Sequence, residues 1–284
     1  MKKLIFNIEN RGNGWIYHWF CYMISGLRFI GTNKSKVGPD SRDIFNRNSE
    51  NIDTIDLDVP IYITIPSLPT PILSYQLETL ELIKDVYTVI DKSDIKEDDI
   101  VINNYGEFIV DTEFHIAREG YEFLRNLFQQ RIRKDPSKSF KNKKYYLSRS
   151  KTHTLLGNAQ DNFIKRRQIV NEIDLSSVLS KLGIETIFLE DYSLEDKFRI
   201  FQEASLIISP NSGGLFFCLF SSIATKIVEI NSAHPGQISR QYEDQCRFAD
   251  VPYFKYKCSM FDMYDNMFIN IEEFLHFLIQ NKII

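Results

Sequence analysis

Cysteine is scarce in this sequence. There are four in 284 residues, Cys21, Cys218, Cys246 and Cys258, and no two of them form a CxxC pair. That spacing supplies neither a zinc site nor a disulfide framework, and it reads as buried small hydrophobes in a reducing compartment. A secretory leader is missing as well. Met1-Lys2-Lys3 is a basic start, but the apolar run from Leu4 is broken by Asn7, Glu9, Asn10 and Arg11. The most apolar stretches, Trp15–Ile30 and Ile207–Ile230, carry His18, Arg28, Asn211 and Lys226, so none reaches a membrane-spanning length. Neither sign of charge dominates: 34 Lys and Arg against 38 Asp and Glu give −4 at neutral pH, which argues against nucleic acid as a partner. Internal repeats and low-complexity blocks are absent. No GxGxxG follows the first strand, which speaks against a dinucleotide-dependent dehydrogenase. What remains is a chain 43% hydrophobic and 13% aromatic, long enough for two domains, and expected to be soluble and cytoplasmic.

The hydrophobic pattern alternates between strand and helix periods. Leu4–Ile8 reads as a strand, followed by a turn at Arg11–Gly14 and an aromatic helix over Trp15–Phe29. Residues 31–58 read as a polar surface excursion. Further strands are expected at Ile61–Ile65, Val86–Ile90 and Ile100–Ile102, with helices over Gln76–Ile83 and Glu119–Ile132. Arg131 to Lys151 is rich in basic residues and broken by Pro136. It reads as a solvated linker, and the domain boundary is placed near residue 140. Beyond it come strands at Tyr145–Leu147, Glu185–Leu189, Leu206–Ile208 and Lys226–Ile230. Between them lie helices over Asn171–Leu182, Leu194–Ala204 and from Gly214, and an amphipathic helix over Ile271–Ile283 closes the chain. Strands separated by helices of about ten residues call for parallel sheets with crossover helices. The fold class is therefore α/β, with two Rossmann-like domains: residues 1–140 and residues 141–284.

One segment stands out chemically. Ser209-Pro210-Asn211-Ser212-Gly213-Gly214-Leu215 links an apolar strand to an apolar helix, the position where open α/β sheets bind ligands. A small, glycine-bearing turn there offers backbone N–H groups and the positive end of a helix dipole to a phosphate. The same glycines also suit a plain tight turn. Glu229, near the end of the next strand, is placed to accept hydrogen bonds from ribose hydroxyls. Arg149 follows Tyr145-Tyr146-Leu147-Ser148 at a strand end, where a guanidinium meets a diphosphate bidentately. Arg167, with Asn171 and Glu172, opens the next helix, and arginine there is unfavourable to the dipole unless an anion is present. Asp56-Leu57-Asp58 is a formal DxD of the kind that holds Mn²⁺ or Mg²⁺, but it lies among other surface acids with no clear strand before it.

The ordered set resembles glycosyltransferase family 61, which contains capsular polysaccharide biosynthesis proteins. That family shows a Tyr-x-Ser-Arg strand, an Arg followed by Asn-Glu, a Gly-Pro-His-Gly-Ala-Gly-Leu turn and a Val-x-Glu strand. Here these are Tyr146-Leu147-Ser148-Arg149, Arg167 with Asn171-Glu172, Ser209–Leu215, and Val228-Glu229-Ile230. Two departures stand in the turn: Asn211 replaces the family's histidine and Ser209 its first glycine. Asn keeps a donor and an acceptor but does not titrate near neutrality. Gly14-Trp15-Ile16-Tyr17-His18-Trp19-Phe20 looks like the family's aromatic-histidine element, which makes His18 the candidate general base. Asp111, Glu113 and His115 are alternatives for the same role.

The resemblance implies a GT-B arrangement with the acceptor on the N-terminal side. The activity it implies is inverting, metal-independent transfer of a sugar from a nucleotide-diphosphate donor, taken as UDP-linked, to a hydroxyl. Glycans, lipid-linked glycans and glycoproteins are the acceptors to consider, and a peripheral membrane contact is left open. On this reading Arg149, Arg167, Asn171, Glu172, Ser209, Asn211, Ser212, Gly213, Gly214, Leu215 and Glu229 serve the donor, with no metal and no cofactor. The alternative is a protein of the same fold that binds a nucleotide sugar or glycan without catalysis.

Overall fold

A computed structural model describes residues 4–7, 61–64, 74–84, 88–103, 125–132, 137–151, 167–232 and 241–284. The aromatic helix with His18, the 31–58 excursion with Asp56 and Asp58, and Asp111, Glu113 and His115 lie outside the described residues. The chain divides into two compact units, Met1–Ile132 and Arg133–Ile284.

The first unit carries a four-stranded sheet of β1 (Leu4–Asn7), β2 (Ile61–Thr64), β3 (Thr88–Ile90) and β4 (Ile100–Asn103). Its order is β3-β2-β1-β4, and every pairing is parallel. Helix α1 (Ser74–Ile83) supplies the crossover from β2 to β3. Just past β3, Asp91 accepts from the Ser93 backbone N–H at 2.8 Å and its hydroxyl at 2.7 Å, which closes a turn. Those two donors hold the Asp91 carboxyl below its ordinary range.

The second unit carries six strands: β5 (Lys144–Leu147), β6 (Ile184–Ile187), β7 (Leu206–Pro210), β8 (Lys226–Ser232), β9 (Tyr253–Met260) and β10 (Met267–Phe268). The order is β10-β9-β8-β7-β5-β6, parallel except for the antiparallel β9–β10 pair. Crossovers are α2 (Glu172–Lys181), α3 (Leu194–Glu203), a 3-10 helix over Gly213–Phe220 and α4 (Gln241–Phe248). Helix α5 (Ile271–Gln280) closes the chain.

Local chemistry sets the ends of these helices. Ser193 caps α3 by accepting the Asp196 N–H at 3.1 Å, and Asn270 caps α5 through the Glu273 N–H at 3.3 Å. Gly183, at φ 72°, ends α2 in the left-handed conformation a side chain resists. Strand alternation then builds two cores. Ile208, Val228 and Ile230 face Leu175 and Leu179 of α2 and Phe274 and Leu278 of α5. On α3 and the 3-10 helix, the Phe198 ring meets Phe217 at 5.1 Å and Phe220 at 4.4 Å, both edge-on.

Three expectations change in detail. The segment from Gly214 is a tight 3-10 helix, and β6 stops at Ile187 because Leu189–Asp191 turns into a single 3-10 turn. The basic stretch, where described, is anchored. Lys138 bonds Asp196 at 2.5 Å, Phe140 is buried beneath the Arg199 guanidinium, and Lys144 opens β5. Finally, α4 and β9 were not read from the sequence. Cys218, Cys246 and Cys258 are free and buried, while Cys21 lies outside the described residues.

Candidate active site

In the second unit the chain steps from β5 to β6 on one side, then returns to place β7 on the other side of β5. The strand order therefore reverses between β5 and β7, and a crevice opens beyond the carboxyl ends of those two strands. The residues following both strands converge there. Arg149, two residues beyond β5, donates from Nη1 to the Asn211 carbonyl at 2.6 Å. Arg167 donates from Nη1 to Asn211 Oδ1 at 2.5 Å. One residue just past β7 thus receives both guanidiniums.

The amide of Asn211 has a forced orientation. Arginine only donates and a carboxylate only accepts, so Oδ1 faces Arg167 and Nδ2 faces Glu229 Oε1, at 2.6 Å. Glu229 lies on β8, beside β7, and is 1% exposed. Its Oε1 also accepts from Asn231 Nδ2 at 3.0 Å, and its Oε2 accepts from the Tyr253 hydroxyl of β9. Loss of water, with the Glu229 charge as second cause, pushes the Tyr253 phenol above its ordinary range. Tyr253 therefore acts as a donor, not an anion.

The electrostatics ask for an anion. Burial, and then the neighbouring Arg167, push the Arg149 guanidinium down to about 10, so it stays charged at neutral pH at a cost to the fold. Two like charges share one residue, with Glu229 on the Asn211 amide and Glu190 acting on Arg149 as the nearby acids. Arg167 also stands at φ 59°, a left-handed backbone that is costly for a residue with a Cβ. It is held there by its N–H to the Tyr264 carbonyl at 3.2 Å.

The turn after β7 completes the edge. Ser209 is buried, with its hydroxyl on the Pro210 carbonyl at 2.8 Å and 3.3 Å from the Ser212 hydroxyl. Tyr242 of α4 donates to the Ser212 carbonyl at 2.7 Å. Ser212 precedes the 3-10 helix, whose first amides lie at the crevice. Gly214 has a packing reason: a Cβ there would stand 2.7 Å from Leu189 Cδ1. Leu215 belongs to the core.

The structure thus brings Arg149, Arg167, Asn211, Ser212 and Glu229 together and gives Asn171 and Glu172 other partners. Asn171 clasps the Ile269 backbone in both directions, at 2.9 and 3.0 Å, and Glu172 accepts from the Tyr146 hydroxyl at 2.7 Å. Sequence reading missed Tyr253, Asn231 and Tyr242. A signal for β9 was present, since Phe254, Tyr256 and Cys258 alternate with Lys255 and Lys257, but that alternation puts Tyr253 on the lysine face and says nothing of its partner. Among the described residues no three His, Cys, Asp or Glu side chains gather as metal ligands do, and no helix is long and apolar enough to cross a membrane.

Comparison with known proteins agrees with the motifs. A family model described as Glycosyltransferase 61 matches residues 16–228, three-quarters of the chain, from the aromatic-histidine element to the middle of β8. No curated protein matches the sequence.

Proposed function

The chain belongs to glycosyltransferase family 61, and on that premise we propose how this glycosyltransferase works. It is an inverting enzyme of GT-B type that needs no metal, with a UDP-linked sugar as donor. The observation that carries this reading is the meeting of the Arg149 and Arg167 guanidiniums on Asn211 at the β5–β7 switch point. A departing nucleoside diphosphate gains negative charge as the sugar leaves, and something fixed in place must receive that charge. Two arginines and the first amides of the 3-10 helix are such groups, and they need no divalent ion between them and the phosphates.

The acceptor hydroxyl, a glycan hydroxyl on this reading, attacks the anomeric carbon from the face opposite the diphosphate. His18 takes its proton. The C1–O bond to the phosphate breaks as the new glycosidic bond forms, which inverts the anomeric centre. Ser209, Ser212, Gly213 and Gly214 shape the turn around the diphosphate.

Thermal stability measured with UDP, GDP, CMP and ADP, each in EDTA and in Mn²⁺, tests the donor class. A ligand at a hundred times its Kd adds about 2.7 kcal/mol, a shift of several degrees. Stabilisation by UDP in EDTA is expected. A shift that requires Mn²⁺ would contradict the metal-free reading.

A second reading has one observation in its favour. The Asn211 amide is committed at both ends and carries no titrating proton, so this residue is unable to assist the leaving phosphate as an acid. UDP binding without transfer to any offered acceptor would select a binding protein of this fold.

A further inference from the structure

We propose that Tyr253 is a positioning residue for the diphosphate site: through Glu229 and Asn211 it sets where the Arg167 guanidinium stands. The proposal rests on the donor-site reading above for what Arg167 binds, and on geometry alone for how Arg167 is held.

The connection is a single file of hydrogen bonds, each with forced polarity. Tyr253 donates to Glu229 Oε2, Asn211 Nδ2 donates to Glu229 Oε1 at 2.6 Å, and Arg167 Nη1 donates to Asn211 Oδ1 at 2.5 Å. Asn231 Nδ2 steadies Glu229 Oε1 from the same strand at 3.0 Å. Glu229 is almost wholly buried, so a carboxylate oxygen that loses its donor has no water to replace it. Without the phenol the carboxylate turns towards the donors that remain. The Asn211 amide follows it, and its Oδ1 leaves the line to Arg167. The Arg149 bond runs to the Asn211 backbone carbonyl, not to the amide, so it is spared. Tyr253 therefore governs the spacing of the two guanidiniums by acting on one of them.

Asn231 and Tyr253 lie beyond the span that the family model matches, which ends at residue 228. A half-buried tyrosine that merely satisfied a buried carboxylate would support folding and nothing more. The two roles separate in a double-mutant cycle.

Inorganic pyrophosphate and UDP are titrated calorimetrically against the full chain and against Tyr253→Phe, Arg167→Ala and the double variant, with melting temperatures recorded for each. Removing one hydrogen bond to a charged chain is expected to weaken pyrophosphate about threefold to tenfold in Tyr253→Phe. The double variant is then expected to bind no more weakly than Arg167→Ala. Full additivity of the two losses overturns the proposal. Tyr253→His, which keeps an N–H donor, serves where Tyr253→Phe does not fold, and it is expected to retain most of the affinity. A ¹⁵N spectrum of the arginine side chains reads the same chain without ligand. The Arg167 Nε–H signal, assigned by its loss in Arg167→Lys, moves in Tyr253→Phe while that of Arg149 does not. An unmoved Arg167 signal overturns the proposal whatever the titrations show. If the wild type binds neither pyrophosphate nor UDP, the donor-site reading fails, and the spectrum alone still decides the role of Tyr253.

Discussion

The two sheets of this chain are built alike and end differently. Both are wound outward in two directions from an early strand, β1 in the first unit and β5 in the second, so each has a switch point. In the first unit the register aligns Asn7 with Thr64 and with Asn103, a row of neutral polar residues at the carboxyl ends of β1, β2 and β4. Just beyond β3, Asp91 is taken up by Ser93. In the second unit the same position holds Arg149, Arg167 and Asn211, with Glu229 behind them. Winding a parallel sheet creates the crevice; it does not decide the charge found there. Among the described residues, the second edge gathers two guanidiniums and the first gathers none.

The comparison breaks most sharply if the core beneath the second edge is disturbed. Phe217→Ala removes a fully buried ring packed on Phe198 and is expected to cost about 3–5 kcal/mol in urea unfolding. Next in size is Arg149→Ala, which removes a preorganised donor for departing charge and is expected to lower turnover at least about a hundredfold, read in a transfer assay. Near-normal turnover would take Arg149 out of the mechanism. Asn211→Asp sets a second carboxylate beside Glu229 and cancels positive charge at the crevice. Pyrophosphate affinity is expected to fall about tenfold, with the loss shrinking at high salt.

The pH profile sharpens the contrast further. UDP, whose terminal phosphate is ionised above about pH 8, is the ligand for this profile, and its affinity is expected to be flat between about pH 8 and 9. It then falls as pH approaches the value of about 10 to which Arg149 is pushed. The sign follows from linkage: a cation with a folded pKa below its unfolded one loses its proton first in the fold. Raising the pH through that value therefore relieves the fold but removes the charge that attracts the anion. Smallest of all should be Gly214→Ala. Its Cβ meets only the flexible end of Leu189, so a loss of about 1 kcal/mol is expected, recovered in part by adding Leu189→Ala. A large loss of pyrophosphate binding instead would show that the glycine serves the ligand.

Much of this architecture can be read from the residues in order. Short apolar runs mark Leu4–Ile8 and Leu206–Ile208 as strands, alternation marks Ile61–Ile65, and Gly183 and Ser193 mark where helices end and begin. Those signals are local, carried by neighbours a few positions apart. Arg167 reads only as the start of the next helix, which begins later, at Glu172. Arg149, Asn211 and Glu229 are recognisable singly, because each is a polar residue at or near the end of an apolar run. Their partners are not. The turn helix from Gly213 is 3-10 and packs against both α3 and α4, which no periodicity states. Asn171 and Glu172 look like a binding pair in sequence, yet they clasp Ile269 and Tyr146.

By itself, then, the sequence determined the α/β class, the succession of strands and helices, and the residue types at the glycine turn. Hydrophobic period and capping act over one or two turns of chain, and those choices are made there. The tertiary structure decided that Asn211 stands between two guanidiniums and a carboxylate, and that Tyr253 lies behind them. Arg149 is 62 residues from Asn211, Arg167 is 44 away, Glu229 is 18 away, and Tyr253 is 24 beyond Glu229. Such contacts depend on strand order and register, which are fixed only when distant strands choose one another as neighbours.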